Sequence, residues 1–174
     1  MAMTSGDGVV EQLRLFERDV PAQGRAFSAR EAANLTGISY RQLDYWARSG
    51  VLRPSVLAGI GSGSPRAFDF TDLVVLSAAA RMIGAGLALS TARTTVGALR
   101  AIHPDRLAEL TVVCDGTRVR EVNDDDDVAR AVDSGNGVVT IALSRIWASV
   151  ATRVHDETTP RVDELTQRRL LKAM

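Results

Sequence analysis

The chain has 174 residues, of which 45% are hydrophobic and 24% charged, with 21 basic and 21 acidic side chains. This length allows one domain or two small ones, and the apolar content excludes global disorder. The sequence has no run of about 18 apolar residues and no basic stretch followed by an apolar one at its start. It therefore predicts neither a membrane span nor a secretory signal.

The zero net charge hides an uneven distribution along the chain. Residues 25–103 carry nine arginines and four acidic residues, a net charge of +5. Residues 1–24, expected to form a flexible N-terminal arm, have a net charge of −2, and residues 104–174 have one of −3. A basic centre between acidic ends is typical of a nucleic-acid-binding module joined to other segments. The single cysteine, Cys114, cannot form an internal disulfide, which favours a cytoplasmic location.

The first structure predicted after the arm is a helix-turn-helix. Ser28 and Glu31 have the spacing of a capping box, and a helix from about Ala29 to Leu35 follows them. Gly37 marks the turn, and a second helix is predicted over residues 39–49. Two helices joined by a short glycine-containing turn are typical of DNA-binding proteins.

The second helix combines an apolar stripe with an unusual polar surface. Leu43, Trp46 and Ala47 fall on one side at i, i+3 and i+4 spacing. Arginine and glutamine hydrogen-bond base edges, and arginine and tyrosine hold phosphates. The pattern therefore predicts a DNA recognition helix. Its candidate DNA-binding residues are Ser39, Tyr40, Arg41, Gln42, Tyr45 and Arg48.

The stretch after this helix predicts a β-hairpin. Two short strands, at 51–57 and 66–70, flank a Gly/Ser-rich loop. Behind a helix-turn-helix, such a hairpin is a wing that lies along the neighbouring groove and phosphates. The candidate DNA-binding residues of the wing are Arg53, Ser62, Ser64 and Arg66.

Two further helices are predicted to complete this domain. The first spans about 72–85 and is capped by Thr71-Asp72, and the second is capped by Ser90 and continues to Ile102. Pro104 ends the second helix, since proline cannot continue it.

The hydrophobic period changes from helix to strand at Leu110. An Asp-Gly turn predicts a hairpin of two strands, followed by a helix that begins in the aspartate run, a third strand and a last helix. The sequence thus predicts an α+β protein with four parts. These are the arm at 1–24, a winged helix-turn-helix domain at 25–103, a small ββαβα domain at 107–154 for dimerisation or effector binding, and a mobile C-terminal tail at 155–174.

Three patterns that suggest other chemistry are weak. One thiol and two distant histidines do not have the spacing of a metal site, so Cys114 is expected to be a buried strand residue. The aspartates at 124–127 lack the spacing of a calcium loop and suit the first turn of a helix. Ser144, His155 and Asp156 lack the nucleophile elbow of a hydrolase. The sequence therefore predicts no metal, no cofactor and no enzymatic activity.

The recognition-helix region resembles the MerR family of winged-helix transcription regulators. The resemblance rests on the string ISYRQLDYWARSGVLRP at 38–54 and on Arg66-Ala67-Phe68 in the wing. Together with the Gly-Ser loop and the hairpin at 114–117, this string is similar to an actinobacterial subgroup that carries a small C-terminal domain. A leading Leu-Phe-x-x-Asp-x-Pro segment of that subgroup is matched here by residues 15–21.

The resemblance implies a homodimer that binds an inverted repeat in promoter DNA and bends or untwists it, with RNA polymerase as a possible further partner and an unknown effector. Phe68 stands where the family usually has tyrosine, which removes one hydroxyl from the wing. Pro104 shortens the helix through which most members dimerise, so the dimer interface stays open. The alternative function is an architectural, excisionase-like DNA-bending factor of a mobile element, although such proteins usually lack a second folded domain.

Overall fold

The computed structural model describes residues 24–59, 65–115, 118–133 and 137–158. Within these ranges, helices predominate and the strands are short. In chain order the elements are β1 (Phe27–Ser28), α1 (Ala29–Thr36), α2 (Tyr40–Ser49), β2 (Ala67–Phe68), α3 (Phe70–Gly84), α4 (Leu89–Arg100), α5 (Pro104–Leu107), β3 (Thr111–Cys114), β4 (Val119–Glu121), α6 (Asp125–Asp133), β5 (Val139–Ala142) and α7 (Leu143–Thr158).

The helix-turn-helix forms as predicted, because local capping residues fix both helices. The Ser28 hydroxyl accepts from the Glu31 backbone N–H, and the Glu31 carboxylate accepts from the Ser28 N–H at 2.8 Å, which completes the capping box. Gly37 ends α1 with a left-handed φ of 73°. The Ser39 hydroxyl then caps α2 by accepting from the backbone N–H of Gln42 at 3.2 Å.

The wing differs from the hairpin predicted for it. Strand β2 pairs with β1, placing Phe27 opposite Phe68. Of the described residues between α2 and the loop, Leu57 alone forms a bridge, an antiparallel one to Ala67. Pro54 explains the short first strand, because it has no backbone N–H to donate to a ladder. The loop residues Ser62 and Ser64, and the segment 15–21, lie outside the described residues.

Both helices that follow the wing begin earlier than predicted. Helix α3 is capped by Asp69, whose carboxylate accepts from the Asp72 N–H at 2.6 Å, so the predicted Thr71-Asp72 cap was wrong. Asp69 and Asp72 form a reciprocal capping box, which places the helix start before Thr71. Helix α4 begins after Ala88, without a side-chain cap, so the predicted Ser90 cap was wrong as well.

The C-terminal elements have the predicted ββαβα order. Their sheet is antiparallel with the strand order β4-β3-β5, and helix α6 packs against β3. The predicted hairpin is confirmed, and it is closed by an Asp115 N–H that donates to the Arg118 carbonyl. Cys114 is buried in β3, as expected. The one-turn helix α5, which has Pro104 as its first residue, was not predicted.

The aspartate run behaves as the start of a helix. The Asp124 carboxylate accepts from the Asp127 N–H at 2.9 Å, and the Asp127 carboxylate accepts from the Asn123 N–H at 2.8 Å. These bonds satisfy backbone groups that the first turn of α6 leaves unpaired. The hydrogen bond from Asn123, followed by one from the Arg130 side chain, lowers the pKa of Asp127 to about 2.

One hydrophobic core joins the helix-turn-helix to the C-terminal elements. Helix α3 lies at its centre and packs against α1, α4 and α7, and this central position explains why it is apolar on nearly all sides. Phe70 of α3 meets Trp147 of α7 edge to face, with ring centroids 4.8 Å apart. Arg153 of α7 donates to the Leu35 carbonyl at 2.8 Å. The last helix therefore packs against α1 and α3, and it continues through Thr158, beyond the end predicted at 154.

Candidate nucleic-acid interface

Helix α2 separates its apolar and polar residues clearly. Leu43 and Trp46 are 2% exposed and anchor the helix in the core. On the opposite side Arg41, Tyr45 and Arg48 are exposed at i, i+4 and i+7, and therefore share one stripe, which we call the α2 stripe. An outward-facing stripe of two guanidinium groups and a phenol suits hydrogen bonding to bases and phosphates.

The amino-terminal end of α2 adds further exposed groups. Tyr40 and Tyr45 are 55% and 52% exposed, although aromatic rings are usually covered. Gln42 is exposed too, and Ser39 is exposed while its hydroxyl caps the helix. All six residues predicted on this helix thus lie on its solvent-accessible surface.

Asp44 connects α2 to the wing. Its carboxylate pairs with Arg48 at 2.8 Å on the same helix and with Arg66 at 2.5 Å from the residue before β2. The hydrogen bond from Arg66 is the main reason why the pKa of Asp44 lies below its ordinary value. The Arg66 side chain is only 7% exposed, so this predicted phosphate contact instead lies under the surface and holds the wing to α2.

The wing aromatic is a core residue. Phe68 is fully buried opposite Phe27. The ring therefore stabilises the sheet between β1 and β2. Phe68 was expected to leave the wing without one exposed hydroxyl, but its ring faces the core.

Two arginines of α4 donate hydrogen bonds to the backbone at and after the end of α2. Arg93 donates to the carbonyl of Ser49, and Arg100 donates to the carbonyl of Arg53. Both acceptors lie where α2 ends and the wing begins. The Arg53 side chain itself is exposed, as its predicted role requires.

A buried carboxylate completes this support. Asp72 of α3 is 2% exposed and accepts from the Ser55 N–H at 2.8 Å and from the Ser55 hydroxyl at 2.6 Å, while Arg100 lies 3.3 Å away. We call Asp72, Ser55 and Arg100 the Asp72 clamp. Burial raises the pKa of Asp72 despite these hydrogen bonds. The clamp fixes the start of the wing to the two helices behind it.

Sequence reasoning missed these supporting residues. Only Asp44 has a local signal, because it lies four residues before Arg48 on the same helix face. The partners in the clamp are 17 or more residues apart in the chain, and no local pattern links them.

Other kinds of site find little support in the described ranges. They contain no group of three or more His, Cys, Asp or Glu side chains placed to hold a metal ion. Ser144 and His155 are three turns apart on α7, about 16 Å along its axis, which is too far for a catalytic pair. No helix among these residues is long and apolar enough to cross a membrane.

Comparison with known proteins agrees with the geometry of the head. Residues 27–99 match the family described as MerR HTH family regulatory protein. Two proteins named uncharacterised HTH-type transcriptional regulators, from Mycobacterium bovis and Mycobacterium tuberculosis, are each 38% identical over 131 residues, covering 75% of this chain and 58% of theirs. The chain thus spans somewhat more than half the length of these relatives. Residues 27–99, the head that extends from β1 into α4, are thus a helix-turn-helix domain of the MerR family.

Proposed function

We propose that the chain is a cytoplasmic transcription regulator that binds a promoter inverted repeat as a homodimer and distorts the DNA. The observation that carries this proposal is the α2 stripe, an exposed row of two arginines and a tyrosine on a helix whose other side is anchored in the core. The names of the mycobacterial relatives support the same class of function.

The residues of α2 are assigned different tasks by their chemistry. Arg41 and Gln42 make paired hydrogen bonds to base edges, and so determine sequence specificity. Tyr40, Tyr45 and Arg48 hold the phosphate backbone and fix the position of the helix in the major groove. Ser39 contacts DNA at the amino-terminal end of the helix, beside the unpaired backbone N–H groups that attract phosphates.

The wing extends the contact along the neighbouring groove. Arg53, Ser62 and Ser64 are assigned to the phosphates there. Arg66 acts indirectly, because its buried guanidinium pairs with Asp44 and keeps the wing in register with α2. This division separates the residues that touch DNA from the residues that position them.

The match to the MerR family and an energetic argument support dimerisation and DNA distortion. Bending DNA costs on the order of 1–6 kcal/mol over a site of this kind, which two heads gripping two half-sites supply more readily than one. A distorted promoter spacer realigns its elements for RNA polymerase. The C-terminal elements at 107–154 are assigned to dimerisation or to a protein contact.

Selection of bound sequences from a random duplex pool tests the proposal. The full chain is compared with Arg41→Ala and with Arg145→Ala, a control that removes an exposed arginine from α7, away from the α2 stripe. Wild type and control should enrich the same inverted repeat, while Arg41→Ala should lose about 1–3 kcal/mol of affinity and blur one position of each half-site.

The other outcomes select between classes of function. Equal enrichment by Arg41→Ala and wild type would remove Arg41 from the base contacts. Tight binding without any enriched sequence would favour the architectural, excisionase-like alternative, which reads DNA shape.

A further inference from the structure

A cavity of about 200 Å³ lies between α1, α3 and α7. It is separate from the α2 stripe and opens where the last helix packs against the head. Two helices line it with the same pair of residue types at i, i+4 spacing, Ser77 and Arg81 on α3 and Ser149 and Arg153 on α7. Side chains four residues apart on a helix share one face, so each pair faces the cavity as a unit.

Some hydrogen-bonding groups of this cavity either have no partner or have spare donors within the described residues. Ser77 is 8% exposed, and its hydroxyl has no hydrogen-bond partner. Such a buried orphan is rare and calls for an explanation. Arg81 is exposed at the rim, and Arg153 uses one nitrogen for the Leu35 carbonyl, leaving further N–H donors on the guanidinium.

The charge and the size of the cavity determine which ligands it can bind. Among the residues that the structure describes, no acidic side chain lines it, so its two guanidinium groups make it a positive site. Ile146 and Val150 form an apolar wall beside them. At about 200 Å³, the cavity is smaller than the pockets that enclose drug-sized ligands, so it suits only a small molecule.

We propose that this cavity binds a small organic anion, whose carboxylate or phosphate group is held by Arg81, Arg153 and the Ser77 hydroxyl. Arginine recognises both groups through paired charge-assisted hydrogen bonds. The orphan hydroxyl of Ser77 gains its missing partner, and the short carbon chain of the ligand lies beside the partly buried Ala80.

The position of the cavity also assigns the anion a regulatory effect, and this step rests on the proposed function. Arg153 holds the carbonyl of Leu35 at the end of α1, immediately before the turn that leads to α2. An anion bound to the Arg153 guanidinium alters its hydrogen bond to the Leu35 carbonyl, and so alters the contact between α7 and the helix-turn-helix. DNA affinity and anion affinity are then linked, and each ligand changes the affinity of the other by the same factor.

Thermal unfolding of the full chain with millimolar inorganic phosphate or butyrate, at constant ionic strength in chloride, tests the site. We expect a saturable rise in Tm for wild type, as a ligand that binds only the folded state produces. The rise should fall several-fold in Ser77→Ala and in Arg81→Gln, and persist in Arg145→Gln, which removes an exposed arginine of α7 outside the cavity.

Ser77→Ala makes this test sharp. Because its hydroxyl has no partner, the variant without added anion should unfold at the same temperature as wild type or higher. A loss of the anion effect then reports on binding and not on a damaged fold. The two probes separate the sources, since a response to phosphate alone selects a phosphoryl group and a response to butyrate alone selects a carboxylate.

Two results would overturn the site. One is no saturable rise with either probe. The other is an equal rise in wild type, Ser77→Ala and Arg81→Gln, which is the signature of general ion exclusion from protein surfaces. The DNA selection is run without added phosphate or butyrate, so its result does not depend on the anion site. A failed DNA selection would therefore contradict the proposed function alone, and a failed Tm response would contradict the anion site alone.

Discussion

Removal of the Asp72 carboxylate should loosen the wing and destabilise the whole head. Asp72 is buried on α3, and its two hydrogen bonds from Ser55 cross from the wing to the core. Arg100 approaches the same carboxylate and also holds the carbonyl of Arg53. Asp72→Ala therefore removes the centre of the clamp, whereas Asp72→Asn keeps one oxygen that accepts from Ser55.

The size of the effect follows from these contacts. A hydrogen bond to a charged group contributes about 1.5–3 kcal/mol. Ser55 is exposed, so water replaces part of what Asp72→Ala removes, and relief of the buried charge offsets more. We expect a loss of about 2–3 kcal/mol for Asp72→Ala but a change within about 0.5 kcal/mol for Asp72→Asn, because the neutral amide avoids the cost of a buried charge. For a chain of this length, the first value corresponds to roughly 4–12 °C in Tm.

Urea unfolding at pH 7 measures both variants, with Asp156→Asn as the control because Asp156 is an exposed acid of α7. The control should stay within about 0.5 kcal/mol of wild type. The clamp would be refuted by an Asp72→Ala variant as stable as the control, or by a Ser55→Ala variant that shows no coupling to Asp72→Ala in a double-mutant cycle.

Three further outcomes follow from other parts of the molecule. Arg66→Ala should lower the urea midpoint several-fold more than Arg48→Ala, because only Arg66 is buried in its ion pair, and equal shifts would contradict its positioning role. The pKa of Asp127 is about 2, below the ordinary value of 3.8, so its carboxylate contributes stability above pH 3.8 that is lost as the pH falls towards 2. In Asp127→Asn, the free energy of unfolding should therefore depend less on pH over this range. Gly50→Ala should cost about 1 kcal/mol in urea unfolding because its φ is 74°, whereas Gly97→Ala inside α4 should stabilise by about 0.5–1 kcal/mol. The same sign for both glycine variants would contradict the backbone explanation.

The pKa of Asp72 predicts a pH dependence of the opposite sign. Burial raises this pKa above 3.8, so the folded chain binds the proton more tightly than the unfolded chain does. Stability contributed by the protonated group is present at low pH and falls as pH rises through the raised value. The stability of wild type relative to Asp72→Asn should therefore decrease from pH 4 upwards in a pH series of urea midpoints. An increase over the same range would show that the hydrogen bonds from Ser55 outweigh burial.

The features predicted correctly from the sequence are those that short-range chemistry determines. The capping box at Ser28, the stripe through Leu43 and Trp46, and the hairpin next to Asp115 each depend on residues within one or two turns of each other. The exposed face of α2 was predicted for the same reason. Period and spacing record such features directly.

The features that were missed depend on pairings between distant segments. β1 has two residues and exists only because β2, about 40 residues later, lies beside it. The inward position of Arg66 depends on Asp44, 22 residues earlier in the chain. A wing arginine has the same appearance in a sequence whether it reaches outwards to phosphate or inwards to a carboxylate, so only tertiary structure separates the two roles.

The interaction of α7 with the head bears on how such a protein is regulated. Phe70 and Trp147 pack edge to face, and Arg153 reaches the end of α1, so the C-terminal elements and the helix-turn-helix share one core. A structural change in α7 can therefore reach α2 through direct packing, because α7 contacts α1 and α1 is the helix next to α2. Interfaces of this kind transmit discrete shifts between packed helices. For the proposed anion site, the contact between α7 and α1 is thus the most direct route by which a bound anion would affect the α2 stripe.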